Sequence, residues 1–287
     1  MRLRAFAKIN LGLELLRKRV DGYHDLRTLF QTVSLFDEIE CLPEQKELVI
    51  EGNDPSIPWD ESNLIHRAGR LLRERTGTRK GARIRVTKNI PAGRGLAGGS
   101  SNAAVTLLAL NKLWELGLAI ADLEDLARSL GADVAFFLHG GLCLGEERGD
   151  VLQELPETGP FFCLLALPPY AVSTASIYAG TGLTLTSEDK VSKIMRFLAT
   201  GDFGLLENDL EPIIFRAHPE LEEFKRFFRR EGAELTLVSG SGSAVYGLYL
   251  DRKRARKGLK KLRERSDALL VEPVPRESYW CQLDAGV

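Results

Sequence analysis

The chain of 287 residues has almost no excess charge: 39 Lys and Arg face 40 Asp and Glu, a formal net of −1. That balance removes the compositional case for a nucleic acid or an anionic membrane as partner, leaving only a local basic patch to consider. Cysteine is scarce. Cys41, Cys143, Cys163 and Cys281 stand far apart with no C-x-x-C pair, which excludes a disulfide scaffold and a structural zinc site and favours a reduced, cytoplasmic protein. Cys143 and Cys163 lie in apolar surroundings and read as buried free thiols. Long hydrophobic runs are also missing. The longest, Phe161 to Leu167, stops at Pro168-Pro169, far short of a bilayer span. Glu14 breaks the apolar run at the basic start and no small-residue cleavage site follows, so no secretory leader is read there.

What is present is ordinary globular material, 44% hydrophobic and 28% charged, with length for one large or two ordinary domains. Strand-like stretches run over 3–16, 29–41 and 48–51, separated by Asp21-Gly22 and by the Gly52-Asn53-Asp54-Pro55 cluster. Leu64, Ala68, Leu71 and Leu72 recur at helical spacing after Asn63. Residues 82–87 alternate as a half-buried strand does, 100–116 form a broad-faced helix, and 122–130 form a second. The prolines at 156–160 mark the expected boundary, giving domains of 1–156 and 157–287. Beyond it come a strand at 161–167, helices near 188–199 and 219–230, strands at 234–238 and 244–250, a helix at 252–265 and a strand near 268–272. This order contains the β-α-β-β-α-β of ferredoxin-like domains. The 252–265 helix is the basic patch: nine Lys or Arg fall in 251–265. Ala255, Leu259 and Leu262 recur on one face and no aromatic interleaves, so a solvated amphipathic helix is favoured over an RNA-binding surface.

The densest chemical signal is Pro91-Ala-Gly-Arg-Gly-Leu-Ala-Gly-Gly-Ser-Ser-Asn-Ala-Ala104. Four glycines in seven residues exceed what a serine-capped turn needs. With the helix that follows, they bring N–H donors and a positive dipole end to one place, an anion site. Ser100 and Ser101 are read as helix caps that also offer hydroxyls to phosphate or metal. No lysine follows the glycines, so the P-loop pattern fails. Gly93, Gly95 and Gly98 satisfy G-x-G-x-x-G, but the preceding strand alternates Arg83, Arg85 and Thr87, and no strand ending in Asp or Glu follows at the distance a Rossmann unit requires. Asp133 enters the apolar segment 131–138 either as a helix cap or as a general base. Lys8 is its natural compensating cation, although a lysine in an N-terminal strand is ordinarily exposed. Ser239-Gly-Ser-Gly-Ser243 is a flexible hairpin loop or a set of backbone donors for a ligand. Tyr23-His24 is a surface turn or a recognition element for a base-like ring.

Together with Ala7-Lys-Ile-Asn-Leu11, Arg19-Val-Asp-Gly-Tyr-His24, Val172-Ser-Thr-Ala175 and Asn208-Asp-Leu-Glu211, these segments resemble the GHMP kinase superfamily across essentially the whole chain. Asp21–His24 point to its branch acting on a cytidine-diphosphate methylerythritol. The resemblance implies a two-domain α+β fold, an N-terminal ribosomal-protein-S5-like α/β domain followed by a ferredoxin-like domain. It implies transfer of the ATP γ-phosphoryl group to the substrate 2-hydroxyl, with Lys8 and Asp133 as the catalytic pair. It assigns Pro91, Ala92, Gly93, Arg94, Gly95, Leu96, Ala97, Gly98, Gly99, Ser100 and Ser101 to the ATP phosphates, with Asn63 and Lys88 as further nucleotide contacts. Asn10, Tyr23 and His24 match substrate residues, and Tyr178 is a second stacking face. Mg²⁺ is expected, with Ser101 as the first candidate for a protein ligand. The implied partner is the small-molecule substrate, with no nucleic acid or membrane, in a monomer or weak homodimer. Homoserine- or mevalonate-type kinases are the alternative. Three positions depart from the pattern: Arg94 where a small residue is common, Ala97 where glycine is, and Ala135 where proline is.

Overall fold

The computed structural model describes residues 1–20, 24–179 and 192–284. Two long antiparallel strands, β1 (Arg2–Lys18) and β2 (His24–Glu44), form its spine, with Lys8 opposite Thr32 and Asn10 opposite Phe30. β1 is buried almost without alternation because both its faces are covered. Ala5 and Phe6 enter a core under the N-terminal helices, whereas Ala7, Ile9 and Leu11 pack with Leu165, Tyr246 and Leu248 of the second lobe. That double cover explains why the strand reads as one long apolar run.

β3 (Leu48–Gly52) lies parallel to β4 (Gly81–Thr87), with α1 (Leu64–Thr76) as the crossover between them. After α2 (Gly98–Leu113) and α3 (Ile120–Leu130), the hairpin of β5 (Leu142–Glu146) and β6 (Val151–Glu154) completes a sheet in the order β3-β4-β2-β5-β6, with β1 on the other side of β2.

The second lobe contains β7 (Phe162–Leu167), α4 (Thr174–Ala179), α5 (Lys193–Thr200), α6 (Glu211–Ala217), α7 (Glu220–Arg230), β8 (Leu235–Val238), β9 (Val245–Tyr249), α8 (Arg252–Leu262) and β10 (Asp267–Val271). Its sheet runs β10-β7-β9-β8, antiparallel throughout, the ferredoxin-like order expected. α8 buries Ala255, Gly258 and Leu262 and exposes most of its basic side chains, as an amphipathic surface helix does.

The chain then crosses back. α9 (Arg276–Asp284) places Tyr279 and Leu283 in the N-terminal core, and the Tyr279 hydroxyl donates to the Phe137 carbonyl at 2.5 Å. A boundary at 156–160 therefore separates the sheets but not the cores. The helices α4 and α6 fall in or at the edge of the extra helical material expected between 170 and 215, whereas the hairpin β5–β6 and the helix α9 have no counterpart in the sequence reading; they are short, and their hydrophobic faces form only against neighbours distant in the chain. The expected helix near 188–199 is described from Lys193 onward, its first residues lying outside the described ones.

Candidate functional site

A cleft of ≈ 1340 Å³ lies between the lobes. It exceeds the roughly 300–1,000 Å³ of an ordinary single-ligand pocket and so has room for two ligands.

One wall is the glycine-rich loop. The helix it feeds begins at Gly98, earlier than expected, and its N-cap is Ala97, whose side chain makes no capping bond. The serines are thus inside the first turn and do not cap it, which corrects the sequence reading. The first N–H groups of α2 are left without a side-chain acceptor, as an anion site requires. Ala97 adopts φ 55° and ψ 32°, the left-handed conformation that explains the usual glycine there. Pro91 to Gly95, Ala97, Gly98, Gly99 and Ser100 line the cleft, but Leu96 and Ser101 do not. Leu96 is core, its carbonyl accepting from the Lys8 amide at 3.2 Å, and the Ser101 hydroxyl is buried without a hydrogen-bond partner. Gly95 has no alternative residue: a Cβ there would lie 2.0 Å from the Ser239 carbonyl oxygen.

The opposite wall comes from β1 and the segment before residue 135. Lys8, 3% exposed, donates from Nζ to Asn10 Oδ1 at 2.6 Å and lies 3.5 Å from Asp133 Oδ2. Its ammonium also stands 5.3 Å from the centre of the Phe30 ring. Asn10 is oriented in turn by donating to Thr28 Oγ1 at 2.8 Å, and Thr28 donates to the Gly12 carbonyl at 2.7 Å. The Asp133 side chain keeps 34% exposure, enough to meet a ligand in the cleft. Gly240 of the Ser239–Ser243 loop comes so close that a Cβ on it would lie 3.2 Å from Asn10 Oδ1 and 3.5 Å from Lys8 Nζ. The two glycine-serine loops, separate in sequence, thus meet each other beside Lys8, one at its amide and the other at its ammonium.

At the far end, His24 and Tyr178 line the cleft with ring centres 5.7 Å apart, inclined by 39°. Burial, helped by Lys18, pushes the His24 pKa below its ordinary value and keeps the ring neutral near pH 7. Burial and the Asp133 carboxylate push the Tyr178 phenol up, so it stays protonated. Tyr23 lies outside the described residues.

Two expected nucleotide contacts have other partners. Asn63 is the N-cap of α1: its Oδ1 accepts from the Ile65 amide at 3.0 Å and its Nδ2 donates to the Pro58 carbonyl at 2.8 Å, although the residue lines the cleft. The Lys88 ammonium is paired with the fully buried Asp37 and donates to Asn102 Oδ1 at 3.0 Å. Asp37 also accepts from the amides of Asn89 and Ile90 at 2.7 and 2.8 Å and from Asn102 Nδ2 at 2.9 Å. This cluster anchors the start of the glycine loop to β2. Sequence reasoning missed Asp37, which stands beside Glu38 in a strand and differs from a surface acid only in its tertiary neighbours.

A glycine-rich loop facing an ammonium and an accessible carboxylate of the same lobe, across a cleft that the second lobe closes, can move a phosphoryl group onto a small alcohol. The family description "GHMP kinases N terminal domain" matches residues 63–141 and "GHMP kinases C terminal" matches 183–268, and the chain belongs to the GHMP kinases. The 4-diphosphocytidyl-2-C-methyl-D-erythritol kinase of Geobacillus kaustophilus is 41% identical over 252 residues, 86% of this chain and 87% of that protein. The protein of the same name from Shouchella clausii is 36% identical over 97% of this chain and 96% of its own. A crystal structure of 4-(cytidine 5′-diphospho)-2C-methyl-D-erythritol kinase superposes with a TM-score of 0.82 at 37% identity, covering 95% of this chain and 99% of that one. Within the GHMP kinases, the chain belongs to this kinase family. Homoserine kinase from Cytophaga hutchinsonii, at 18% identity, 97% and 96% coverage and a TM-score of 0.77, shares the fold.

Proposed function

We propose that this chain transfers the γ-phosphoryl group of ATP to the 2-hydroxyl of 4-diphosphocytidyl-2-C-methyl-D-erythritol. The observation that carries the reading is the placing of Lys8 and Asp133 in the cleft shared by the glycine loop and the His24–Tyr178 end. In the proposed reaction the substrate hydroxyl gives its proton to Asp133, its oxygen attacks the γ-phosphorus, and the bond to the β,γ-bridging oxygen breaks to release ADP. Lys8, held by Asn10, offsets the charge that develops on the attacking oxygen and keeps Asp133 oriented. The free N–H groups at the start of α2 receive the phosphates. A neutral His24 offers one donor and one acceptor, matching the edge of a cytosine, while Tyr178 offers a ring face.

The residues present fit a Mg²⁺ that arrives on the nucleotide. Among the described residues no three His, Cys, Asp or Glu form a cage, and one orphaned buried hydroxyl, Ser101 Oγ, stands at the start of α2. The ion would be held by phosphate oxygens, since the Ser101 hydroxyl, the first candidate on the protein, is buried and does not line the cleft, and its chemistry would be neutralisation of the β and γ charges.

The test is ADP release with the cytidine diphosphate alcohol, homoserine and mevalonate as acceptors. Turnover is expected with the first alone. Asp133→Asn should lower kcat by about 10²–10⁴-fold while ATP still binds. Near-normal turnover of that variant would overturn the assignment of the base, and preference for homoserine or mevalonate would overturn the substrate.

A further inference from the structure

The glycine loop is fastened to the second lobe by more than proximity. The Gly93 carbonyl accepts from the Val172 amide at 3.2 Å, the Arg94 carbonyl from the Ala244 amide at 3.1 Å, and the Gly95 carbonyl from Ser239 Oγ at 2.9 Å. Arg94 adds its side chain. Nη1 donates to the carbonyls of Pro168 and Tyr170 and lies 3.2 Å from Ser243 Oγ, which itself donates to the Tyr170 carbonyl at 2.6 Å. Among the described residues no carboxylate lies within ion-pair distance of this guanidinium, and its Nε is buried without a partner. Burial lowers its pKa from the ordinary value. A cation placed among carbonyl dipoles rather than beside an acid contributes direction more than charge neutralisation, because a guanidinium presents several donors in a rigid fork.

We infer that Arg94 is a positioning residue: it clamps the phosphate loop to the Pro168–Tyr170 and Ser239–Ser243 segments, and so sets the spacing between the nucleotide and the Lys8–Asp133 wall. The clamp rests on the kinase reading for its consequence but not for its existence. A small residue at this position leaves the Val172, Ala244 and Ser239 hydrogen bonds and removes the Arg94 side-chain bridge from the loop to the exit of β7. Gly240 touches Lys8 and Asn10 from the same segment that Arg94 grips through Ser243, so a loosened clamp shifts the loop relative to the acceptor without touching either reactant.

Arg94→Ala, Arg94→Lys, Ser243→Ala and the Arg94→Ala/Ser243→Ala double variant test this by two readouts. In hydrogen exchange on the free protein, the Val172 and Ala244 amides should exchange about tenfold faster in Arg94→Ala, the loss expected for a hydrogen bond to a charged group. In kinetics, the ATP KM should rise about tenfold with kcat within about threefold of wild type. Arg94→Lys should restore part of both, and the double variant should exceed Arg94→Ala only slightly, because the two side chains act as one unit. Unchanged exchange at both amides overturns the clamp. So does a hundredfold loss of kcat at constant KM, which would make the guanidinium a contact to the transferring phosphoryl group. If Arg94→Ala does not fold, Arg94→Lys and Ser243→Ala carry the same comparison. A wild-type protein that turns over no acceptor defeats the kinase reading while leaving the exchange result to decide the clamp.

Discussion

Asp37→Ala removes the acceptor on which the start of the glycine-rich loop hangs. The carboxylate is wholly buried and receives the Asn89 and Ile90 amides, Asn102 Nδ2 and the Lys88 ammonium, whose side chain is itself only 5% exposed. Truncation leaves Lys88 buried with Asn102 Oδ1 as its remaining acceptor. Breaking a buried pair from one side costs about 3–5 kcal/mol, chiefly because the orphaned charge stays out of water. For a chain somewhat above 250 residues, each kcal/mol is worth about 2–4 °C, so Tm should fall by about 10 °C. Thermal melts and urea midpoints measure the loss. Replacing both partners at once, Asp37→Leu with Lys88→Met, should recover more than half of it, since no buried charge then remains unpaired. A single variant within about 1 kcal/mol of wild type, the value of an exposed pair, would refute the reasoning. So would a double variant less stable than Asp37→Ala.

Ala97→Gly should stabilise the protein by about 0.5–1 kcal/mol: it relieves a left-handed alanine and gives back part of the gain as unfolded-chain entropy, and a loss in the urea midpoint would contradict this. His24 has its pKa lowered by burial from 6.5, so its contribution to stability is complete above that pH and is lost as pH falls from 6.5 through the folded value. The stability difference between wild type and His24→Asn should therefore be constant above pH 7 and shrink on acidification; a growing difference would count against a neutral ring. Burial pushes the Cys41 thiol up to about 12, the Cys143 thiol up to about 11 and Cys163 well above its ordinary value, whereas Cys281 is exposed. Mass spectrometry after alkylation at pH 8 should find one adduct on the native chain and four after unfolding.

Much of the site was legible in sequence because it is written in residues whose chemistry is local. Glycines at 93, 95, 98 and 99 ahead of a helix need no tertiary partner to announce an anion loop, and Asp133 stands out against the apolar run it enters. Lys88, which lines the cleft, is the converse case. A lysine just before the loop has the position of a phosphate contact, and only the fold shows its ammonium spent on Asp37 and Asn102. The serines were misread as caps because their preference for that position was weighed without the left-handed Ala97, which starts the helix earlier.

By itself, then, the sequence determined most of the order of strands and helices, the glycine-rich loop and the family, since periodicity, glycine spacing and motif order are properties of neighbouring residues. Tertiary structure alone decided that Lys8 is buried beside Asp133 and that Arg94 grips the opposite lobe. It also decided that α9 closes over the N-terminal core. Each of these joins residues more than 70 positions apart. Their pairing follows from which faces of β1 and the two sheets exclude water together, a quantity no local window of the chain contains.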